Sequence, residues 1–224
     1  AELLKLKEIN QRERVMNRKG ILIVVSGFSG SGKGTLMKEL LSRYADTYAL
    51  SISATTRSPR EGEEHGREYF FISKDEFEKM IAKGELIEYA RYVENYYGTP
   101  RDYVEKQLEK GRDVILEIEI QGALSIKKMF PDTLLLFVTP PCAEELRNRL
   151  VGRGTETMDV IQSRMDRACE EAEGMEDYDY LIVNDSLNRC VEEMHAIIRG
   201  EHRKSSRNRE FIQKIKQDLE RLKH

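Results

Sequence analysis

A glycine-rich run between an apolar segment and a helical one constrains the fold of this 224-residue chain more than any other feature. Residues 21–25 are all apolar and predict a buried strand, whereas residues 36–41 predict the first turns of a helix. A strand, a glycine-rich turn and a helix in this order form a phosphate-binding P-loop. We therefore predict a nucleotide site formed by Gly27, Phe28, Ser29, Gly30, Ser31, Gly32, Lys33, Gly34 and Thr35.

The residue types in this run suit the binding of phosphate groups. Glycines let backbone N–H groups close around phosphate oxygens, and the N-terminus of the following helix adds a partial positive charge. Lys33 is expected to reach the β- and γ-phosphates as a point charge. The usual pattern has serine or threonine directly after the lysine, but here Gly34 intervenes and Thr35 supplies the hydroxyl. Because Thr35 then points elsewhere on the first helical turn, the sequence leaves open whether it contacts Mg²⁺ directly or through water.

The charge distribution limits the possible partners. Residues 1–20 carry six Lys and Arg against three acids, residues 201–224 carry eight against four, and the whole chain has a net charge of −3. The body between the two ends is therefore acidic, which argues against binding nucleic acid through a broad basic face. No apolar run approaches the roughly 20 residues that a membrane span needs, so no membrane partner is expected either.

The cysteines and the first residues predict a cytoplasmic protein. Cys142, Cys169 and Cys190 are odd in number and widely spaced, which is typical of reduced thiols rather than of a disulfide or zinc framework. The N-terminal residues contain no hydrophobic region of a secretory signal. The four histidines are scattered and lack the spacing of metal ligands.

Strand and helix patterns alternate along most of the chain, which predicts an α/β fold with a parallel sheet flanked by helices. The strands are expected near residues 21–26, 49–53, 114–120, 134–138 and 180–183, and the helices near 33–44, 123–129, 142–151, 158–173 and 187–199. Residues 69–97 interrupt the alternation with short strands and predict a small inserted lobe. Ser73 and Glu76 form a capping box that begins a helix there, and Thr99 with Pro100 is expected to begin the next one.

Both ends of the chain lie outside this alternation. Residues 1–15 and residues 207–224 each place apolar residues at helical spacing in otherwise charged sequence. We therefore divide the chain into an N-terminal helical extension at 1–19, a main domain at 20–200 and a basic C-terminal helical extension at 201–224.

A second motif follows the P-loop at residues 53–69. It consists of Ser53, the pattern T-T-R-x-P-R at residues 55–60, and Tyr69 nine residues further on. This motif resembles the guanylate kinase family. Further matches to the family lie at residues 87–88, 95–99, 115–122, 149–156 and 183–185, in order and without large gaps. The resemblance therefore covers roughly residues 20–200.

The resemblance implies a P-loop nucleoside-monophosphate kinase with a GMP-binding lobe at about 53–97, called the small lobe below, and a lid at about 149–164. It implies the reaction ATP + GMP ⇌ ADP + GDP, with Mg²⁺ and by direct in-line transfer. Two arginines and two tyrosines would hold the phosphate of GMP, while Ser53 and Glu88 would accept from guanine N1–H and N2–H. The implied GMP-binding residues are Ser53, Arg57, Arg60, Tyr69, Glu88, Tyr97, Thr99, Glu117 and Glu119.

On the ATP side, the resemblance implies that lid arginines stabilise charge on the transferred group when the lid closes. Arg149 suits stacking on adenine, with Asn184 and Asp185 beside the ring. Strand alternation is expected to place Glu117 and Glu119 on one face, toward the nucleotides. The implied ATP-binding residues outside the P-loop are Arg149, Asn184 and Asp185, and the implied catalytic residues are Lys33, Arg57, Arg153 and Arg164.

Two alternatives remain open on the sequence alone. One is a guanylate-kinase-like interaction module that binds protein ligands without catalysis. Such modules typically lose parts of the P-loop, whereas Lys33 and its glycines are present here. The other is a kinase for a different nucleoside monophosphate, which the combination of Ser53 with Glu88 disfavours because adenine lacks guanine's pair of donors.

Overall fold

The computed structural model describes residues 19–92, 94–152, 154 and 157–223. Its strands are β1 (Leu22–Gly27), β2 (Tyr48–Leu50), β3 (Ala54–Thr55), β4 (Phe70–Phe71), β5 (Leu86–Tyr92), β6 (Asn95–Pro100), β7 (Asp113–Glu117), β8 (Leu134–Thr139) and β9 (Tyr180–Val183). Its helices are α1 (Lys33–Arg43), α2 (Lys74–Ala82), α3 (Arg101–Glu109), α4 (Ile120–Met129), α5 (Ala143–Gly152), α6 (Met158–Ala172), α7 (Leu187–Glu201) and α8 (Arg209–Arg221). Short 3₁₀ turns at Met175–Asp177 and Ser205–Arg207 precede β9 and α8.

The larger sheet is parallel and has β1 at its centre. Its described strands run in the order β2-β7-β1-β8-β9, and every neighbouring pair is parallel. Ile23 and Val25 pack on one face with residues of α1 and α7, whereas Val24 packs on the other face with residues of α4 and α5. All three side chains are fully buried, as expected for a central strand covered on both faces. This architecture confirms the predicted α/β fold.

A second, smaller sheet forms the small lobe. Its described strands run in the order β4-β3-β6-β5, with β6 antiparallel to both β3 and β5. Phe77 of α2 is fully buried and stacks on Tyr96, with the ring centroids 5.1 Å apart. Together with Ala54 and Leu86, Phe77 gives the small lobe its own apolar core.

Two predicted helix caps, those of α2 and α3, differ in whether the structure confirms them. The capping box of α2 is confirmed, because the Ser73 hydroxyl accepts from the Glu76 N–H at 3.2 Å and the Glu76 carboxylate accepts from the Ser73 N–H at 2.8 Å. The prediction that Thr99 caps the next helix is wrong. Thr99 lies in β6 with its side chain buried, and Pro100 directly precedes α3. The Thr99 hydroxyl bonds to Glu88 instead, so a tertiary contact replaces the local cap.

Other differences arise where strands are short. The strand expected over 114–120 ends at Glu117, and α4 begins at Ile120 rather than at 123. The strand expected over 49–53 is limited to β2. The sequence patterns miss β3 and β6, because a two-residue strand has no periodicity and the Gly98 and Pro100 of β6 are typical of turns.

The C-terminal segment folds into α8, which confirms the helix predicted within residues 207–224. The helical pattern at residues 1–15 lies outside the described residues. Among the residues that the structure describes, no helix has the length and apolar character that a membrane span requires. The boundaries of the main domain near residues 20 and 200 stay predictions.

Candidate functional site

The glycine-rich run leaves the carboxyl end of β1 and ends in the first turn of α1. The geometry requires glycine at Gly27, where a Cβ would lie 2.1 Å from the Val138 carbonyl oxygen, and at Gly32, which has a φ of 89°. No described side chain caps α1, and its first turn contains no acidic residue. The N-terminal N–H groups of α1 and its dipole therefore favour an anion at this position.

The side chains of the glycine-rich run have different surroundings. Lys33 Nζ donates to the carbonyl oxygens of Gly27 and Phe28 at 2.5 and 3.2 Å, so the ammonium group lies over its own loop. Phe28 is buried against Phe137, with the ring centroids 5.0 Å apart. Only the backbone of Phe28 can therefore face a nucleotide. Thr35 is exposed on the first turn of α1.

Two of the residues implied for ATP meet at the carbonyl oxygen of Ser31. This oxygen accepts from Asn184 Nδ2 at 2.8 Å and from Arg149 Nη1 at 3.2 Å, and Arg149 Nη2 donates to the Asn184 carbonyl oxygen at 2.7 Å. The structure thus brings α5 and the residue after β9 to the P-loop. Asp185 is exposed and pairs with Arg189, which lowers the pKa of the Asp185 carboxyl.

The lid region reaches the P-loop through α6. Arg164 on this helix donates through Nη1 to the Ser29 hydroxyl. Arg153, the other lid arginine implied to be catalytic, lies outside the described residues. Arg167, further along α6, pairs with Glu119 at 2.8 Å. Among the described arginines of α6, Arg164 is therefore the one placed against the P-loop.

The prediction that Glu117 and Glu119 lie on one face of a strand is wrong, because β7 ends at Glu117 and strand alternation does not continue. Glu117 is exposed and lies in register with Val25 of β1, so it is at the carboxyl end of the sheet, where the P-loop follows β1. Glu119 directly precedes α4 and is paired with Arg167. The two carboxylates therefore have different neighbours.

Arginine and aromatic side chains meet in the small lobe. The guanidinium carbon of Arg57 lies 5.4 Å from the ring centroid of Tyr69, and the rings of Tyr69 and Tyr97 are 6.0 Å apart. Arg60 is exposed, and its backbone N–H donates to Glu63. Glu63 also binds Arg57 through both carboxylate oxygens. Glu63 is not predicted from the sequence, because one acid in a highly charged loop has no pattern that distinguishes it.

Glu88 and Thr99 face each other across β5 and β6. Thr99 Oγ1 donates to Glu88 Oε1 at 2.6 Å. Burial raises the pKa of the Glu88 carboxyl, and the hydrogen bond from Thr99 opposes this rise. No donor within the described ranges meets the other carboxylate oxygen, Oε2. Ser53 lies between β2 and β3 and is half-buried.

A cavity of about 590 Å³ is lined by none of these residues, although Ile87, the neighbour of Glu88, lines it. Its lining includes Ile21 and Thr133, which directly precede β1 and β8, and Phe211 of α8. The P-loop instead follows the carboxyl end of β1. The cavity and the P-loop therefore lie at opposite ends of the larger sheet, and the cavity has no part in the candidate site.

The chain is similar to guanylate kinases in its sequence and in its fold. The family model for guanylate kinase matches residues 19–201. The guanylate kinase of Bacillus anthracis is 50% identical over 203 residues, which cover 91% of this chain and 99% of that protein. The guanylate kinase of Clostridioides difficile (strain 630) is 52% identical over 203 residues, covering 90% and 98%. The crystal structure of guanylate kinase from Anaplasma phagocytophilum matches with a TM-score of 0.67 at 31% identity, covering 86% of this chain and 92% of that one.

Proposed function

We propose, for an enzyme that phosphorylates GMP with ATP because it belongs to the guanylate kinase family, that each of its two sheets forms the binding site of one nucleotide. In this proposal ATP binds at the P-loop on the larger sheet, and GMP binds in the small lobe. The hydrogen-bonded pair of Glu88 and Thr99 carries the assignment, since a P-loop alone does not identify the acceptor nucleotide.

Guanine has two neighbouring donors, N1–H and N2–H, on its Watson–Crick edge. A carboxylate is an acceptor with lone pairs on both oxygens, so Glu88 can accept from Thr99 and still accept from both guanine donors. Adenine lacks this pair of donors and would leave the half-buried carboxylate without its partners, which costs free energy. We propose that Glu88 recognises guanine together with Ser53, and that Thr99 fixes the orientation of the carboxylate.

The phosphate of GMP is proposed to bind Arg57, Arg60, Tyr69 and Tyr97. Guanidinium groups match phosphate oxygens in a bidentate geometry, and phenol hydroxyls add donors. The proposal is supported by the short distances that join Arg57, Tyr69 and Tyr97 although Tyr97 lies on a different strand from the arginine loop.

The triphosphate of ATP is proposed to bind the backbone of the P-loop, the N-terminus of α1 and Lys33. Arg164 lies against the P-loop and would stabilise charge on the transferred group, a role that the family resemblance also implies for Arg153. Arg149, Asn184 and Asp185 are proposed to border the adenine ring. Transfer would be direct and in line, with catalysis by positioning and charge neutralisation.

The residues around the P-loop fit a magnesium ion that is held mainly by nucleotide phosphates. Within the described ranges, no three His, Cys, Asp or Glu side chains form a metal-binding cluster. Mg²⁺ commonly keeps several waters and binds through one or two carboxylates together with substrate phosphates. We propose that Glu117 and Thr35, both exposed near the P-loop, contact it through water. The ion would neutralise the phosphate charge that develops during transfer.

The proposal is tested by incubating the protein with ATP and each of GMP, IMP, AMP and UMP, and by separating the products by chromatography. We expect GDP from GMP, at least about tenfold less efficient use of AMP and UMP, and loss of turnover when EDTA removes Mg²⁺. Binding of GMP without turnover would favour the interaction module, and comparable use of AMP would overturn the assignment of Glu88.

We also propose that the enzyme acts in the cytoplasm. Cys142 and Cys169 are exposed free thiols and Cys190 is a buried one, which suits a reducing compartment. Fractionation of the source cells followed by immunodetection tests this, and recovery outside the cytoplasmic fraction would contradict it.

A further inference from the structure

Arg57 is held by a carboxylate that has no assigned role in the site. Its Nη1 donates to Glu63 Oε2 at 2.9 Å and its Nη2 donates to Glu63 Oε1 at 3.0 Å, which is a bidentate pair. Nη1 also donates to the Ser58 carbonyl oxygen at 2.8 Å. The side chains of Arg57 and Glu63 are only 17% and 19% exposed, so the pair is largely enclosed by the small lobe.

Glu63 is itself fixed by the backbone of the same loop. Its Oε2 accepts from the Arg60 N–H at 2.7 Å, and its own N–H donates to the Arg60 carbonyl oxygen at 3.1 Å. The hydrogen bonds from Arg57 and then from the Arg60 backbone lower the pKa of the Glu63 carboxyl, so it is ionised at neutral pH. The carboxylate therefore joins the Arg57 side chain to a closed turn of backbone.

The geometry of this pair leaves one edge of the guanidinium group for another ligand. A guanidinium has five N–H donors in a rigid plane. The Glu63 carboxylate accepts one N–H from each terminal nitrogen, and the Ser58 carbonyl oxygen accepts the second N–H of Nη1. The two that remain are on Nε and Nη2, which share the side edge of the plane. Glu63 and, to a smaller extent, the Tyr97 hydroxyl raise the pKa of the Arg57 guanidinium, so Tyr97, itself a proposed phosphate ligand, also lies close to it. The rings of Tyr69 and Phe71 lie 5.4 and 5.7 Å from the guanidinium carbon and restrict its position further.

We propose that Glu63 is a positioning residue for the acceptor phosphate: it holds the end of the Arg57 guanidinium so that the Nε and Nη2 edge receives two phosphate oxygens of GMP. The inference rests on the proposed role of Arg57 in phosphate binding. A contrasting role would be competition, in which Glu63 occupies the edge that the phosphate needs. The two roles predict opposite effects of removing the carboxylate, because a positioning residue strengthens GMP binding and a competitor weakens it.

The test is Glu63→Gln, which preserves size but leaves one acceptor oxygen for the N–H groups of Arg57 and Arg60. We expect the KM for GMP to rise about tenfold, the KM for ATP to stay unchanged, and kcat to change less than about threefold, since the lost contact acts on binding in the ground state and transition state alike. Glu64→Gln is the matched control, because Glu64 is the next residue and its side chain is 70% exposed. A KM for GMP that stays constant or falls in Glu63→Gln would overturn the proposal.

Guanosine as a competitive inhibitor separates positioning from general damage to the small lobe. Guanosine has no phosphate, so its inhibition constant should be equal in the wild type and in Glu63→Gln. An equal loss for guanosine and GMP would show that Glu63 only stabilises the lobe, which would also overturn the proposal. If Glu63→Gln does not fold, Glu63→Asp gives the same comparison, with the charge kept and the bidentate reach shortened.

Arg57→Lys distinguishes failure of this inference from failure of the proposed function. A lysine has no second edge, so Glu63→Gln should add less than about twofold to the KM for GMP in the Arg57→Lys background. An unchanged KM for GMP in Arg57→Lys alone would refute the phosphate role of Arg57. A raised KM in Arg57→Lys with a normal one in Glu63→Gln would refute only the positioning role.

Discussion

Replacing Glu88 with glutamine separates base recognition from phosphate binding. Thr99 already bonds one carboxylate oxygen, and the glutamine amide keeps only one oxygen for Thr99 and the two guanine donors. Whichever way the amide is turned, at least one N–H in this half-buried pocket faces another donor or has no partner. An unmet donor of this kind costs about 1–3 kcal/mol, and 1.36 kcal/mol is about a factor of ten in rate. We therefore expect kcat/KM for GMP to fall roughly tenfold to a hundredfold.

The assay measures steady-state kinetics with GMP and IMP as acceptors. IMP keeps N1–H but lacks the 2-amino group, so it should be a poor substrate of the wild type and lose less on mutation. The KM for ATP should hardly change, because ATP is proposed to bind at the other sheet. Glu85→Gln serves as the control, since Glu85 precedes β5 and is exposed. Equal losses for GMP and IMP together with weaker ATP binding would show that Glu88 is structural and that the guanine assignment is wrong.

Three further predictions concern Lys33 of the P-loop, the ionisation of Glu88 and the N-terminal segment. Lys33→Met keeps the aliphatic stem but removes the charge beside the P-loop, so kcat should fall by about 10²–10⁴ while the circular dichroism spectrum stays normal; near-normal turnover of the folded variant would exclude the lysine from the mechanism. Burial raises the pKa of Glu88 in the folded enzyme, and GMP binding needs the ionised carboxylate. As the pH falls, kcat/KM for GMP should therefore begin to decline at a higher pH than the pKa of an ordinary glutamate would predict, and this decline should be absent from the pH profile of Glu88→Gln. Removal of residues 1–15 should leave kcat/KM for GMP within about threefold, or about 0.7 kcal/mol, since the family match begins at residue 19; a larger loss in a folded protein would mean that this segment supports the site.

Much of the fold could be predicted from the sequence because its signals are local. The apolar residues of β1 and β8 indicate strands buried on both faces, and the structure packs Val24 and its neighbours Ile23 and Val25 on opposite faces of the sheet. Ser73 and Glu76 cap α2 through contacts within one turn of chain. The glycine-rich run indicates its own conformation, since Gly32 adopts a positive φ that other residues rarely do.

The elements that were mispredicted depend on distant neighbours. A local rule assigns Thr99 to a helix cap, but its hydroxyl is turned inward by Glu88 from the adjacent strand. Strand alternation assigns Glu117 and Glu119 to one face, but the chain leaves the sheet between them. In both cases packing between separate elements, rather than the local sequence, sets the direction of the side chain.

By itself, the sequence determined the family and the reaction, and it predicted the residues of the site, because motifs such as the P-loop and T-T-R-x-P-R are contiguous and carry their chemistry in their spacing. Only the tertiary structure decided how those residues are held. The bond of Arg164 to Ser29, the meeting of Arg149 and Asn184 at Ser31, and the enclosure of the Arg57–Glu63 pair all depend on how separate elements pack. Such contacts leave no periodic trace in a sequence, because the free energy of a hydrogen bond or ion pair depends on the three-dimensional distance and burial of its partners rather than on their separation along the chain.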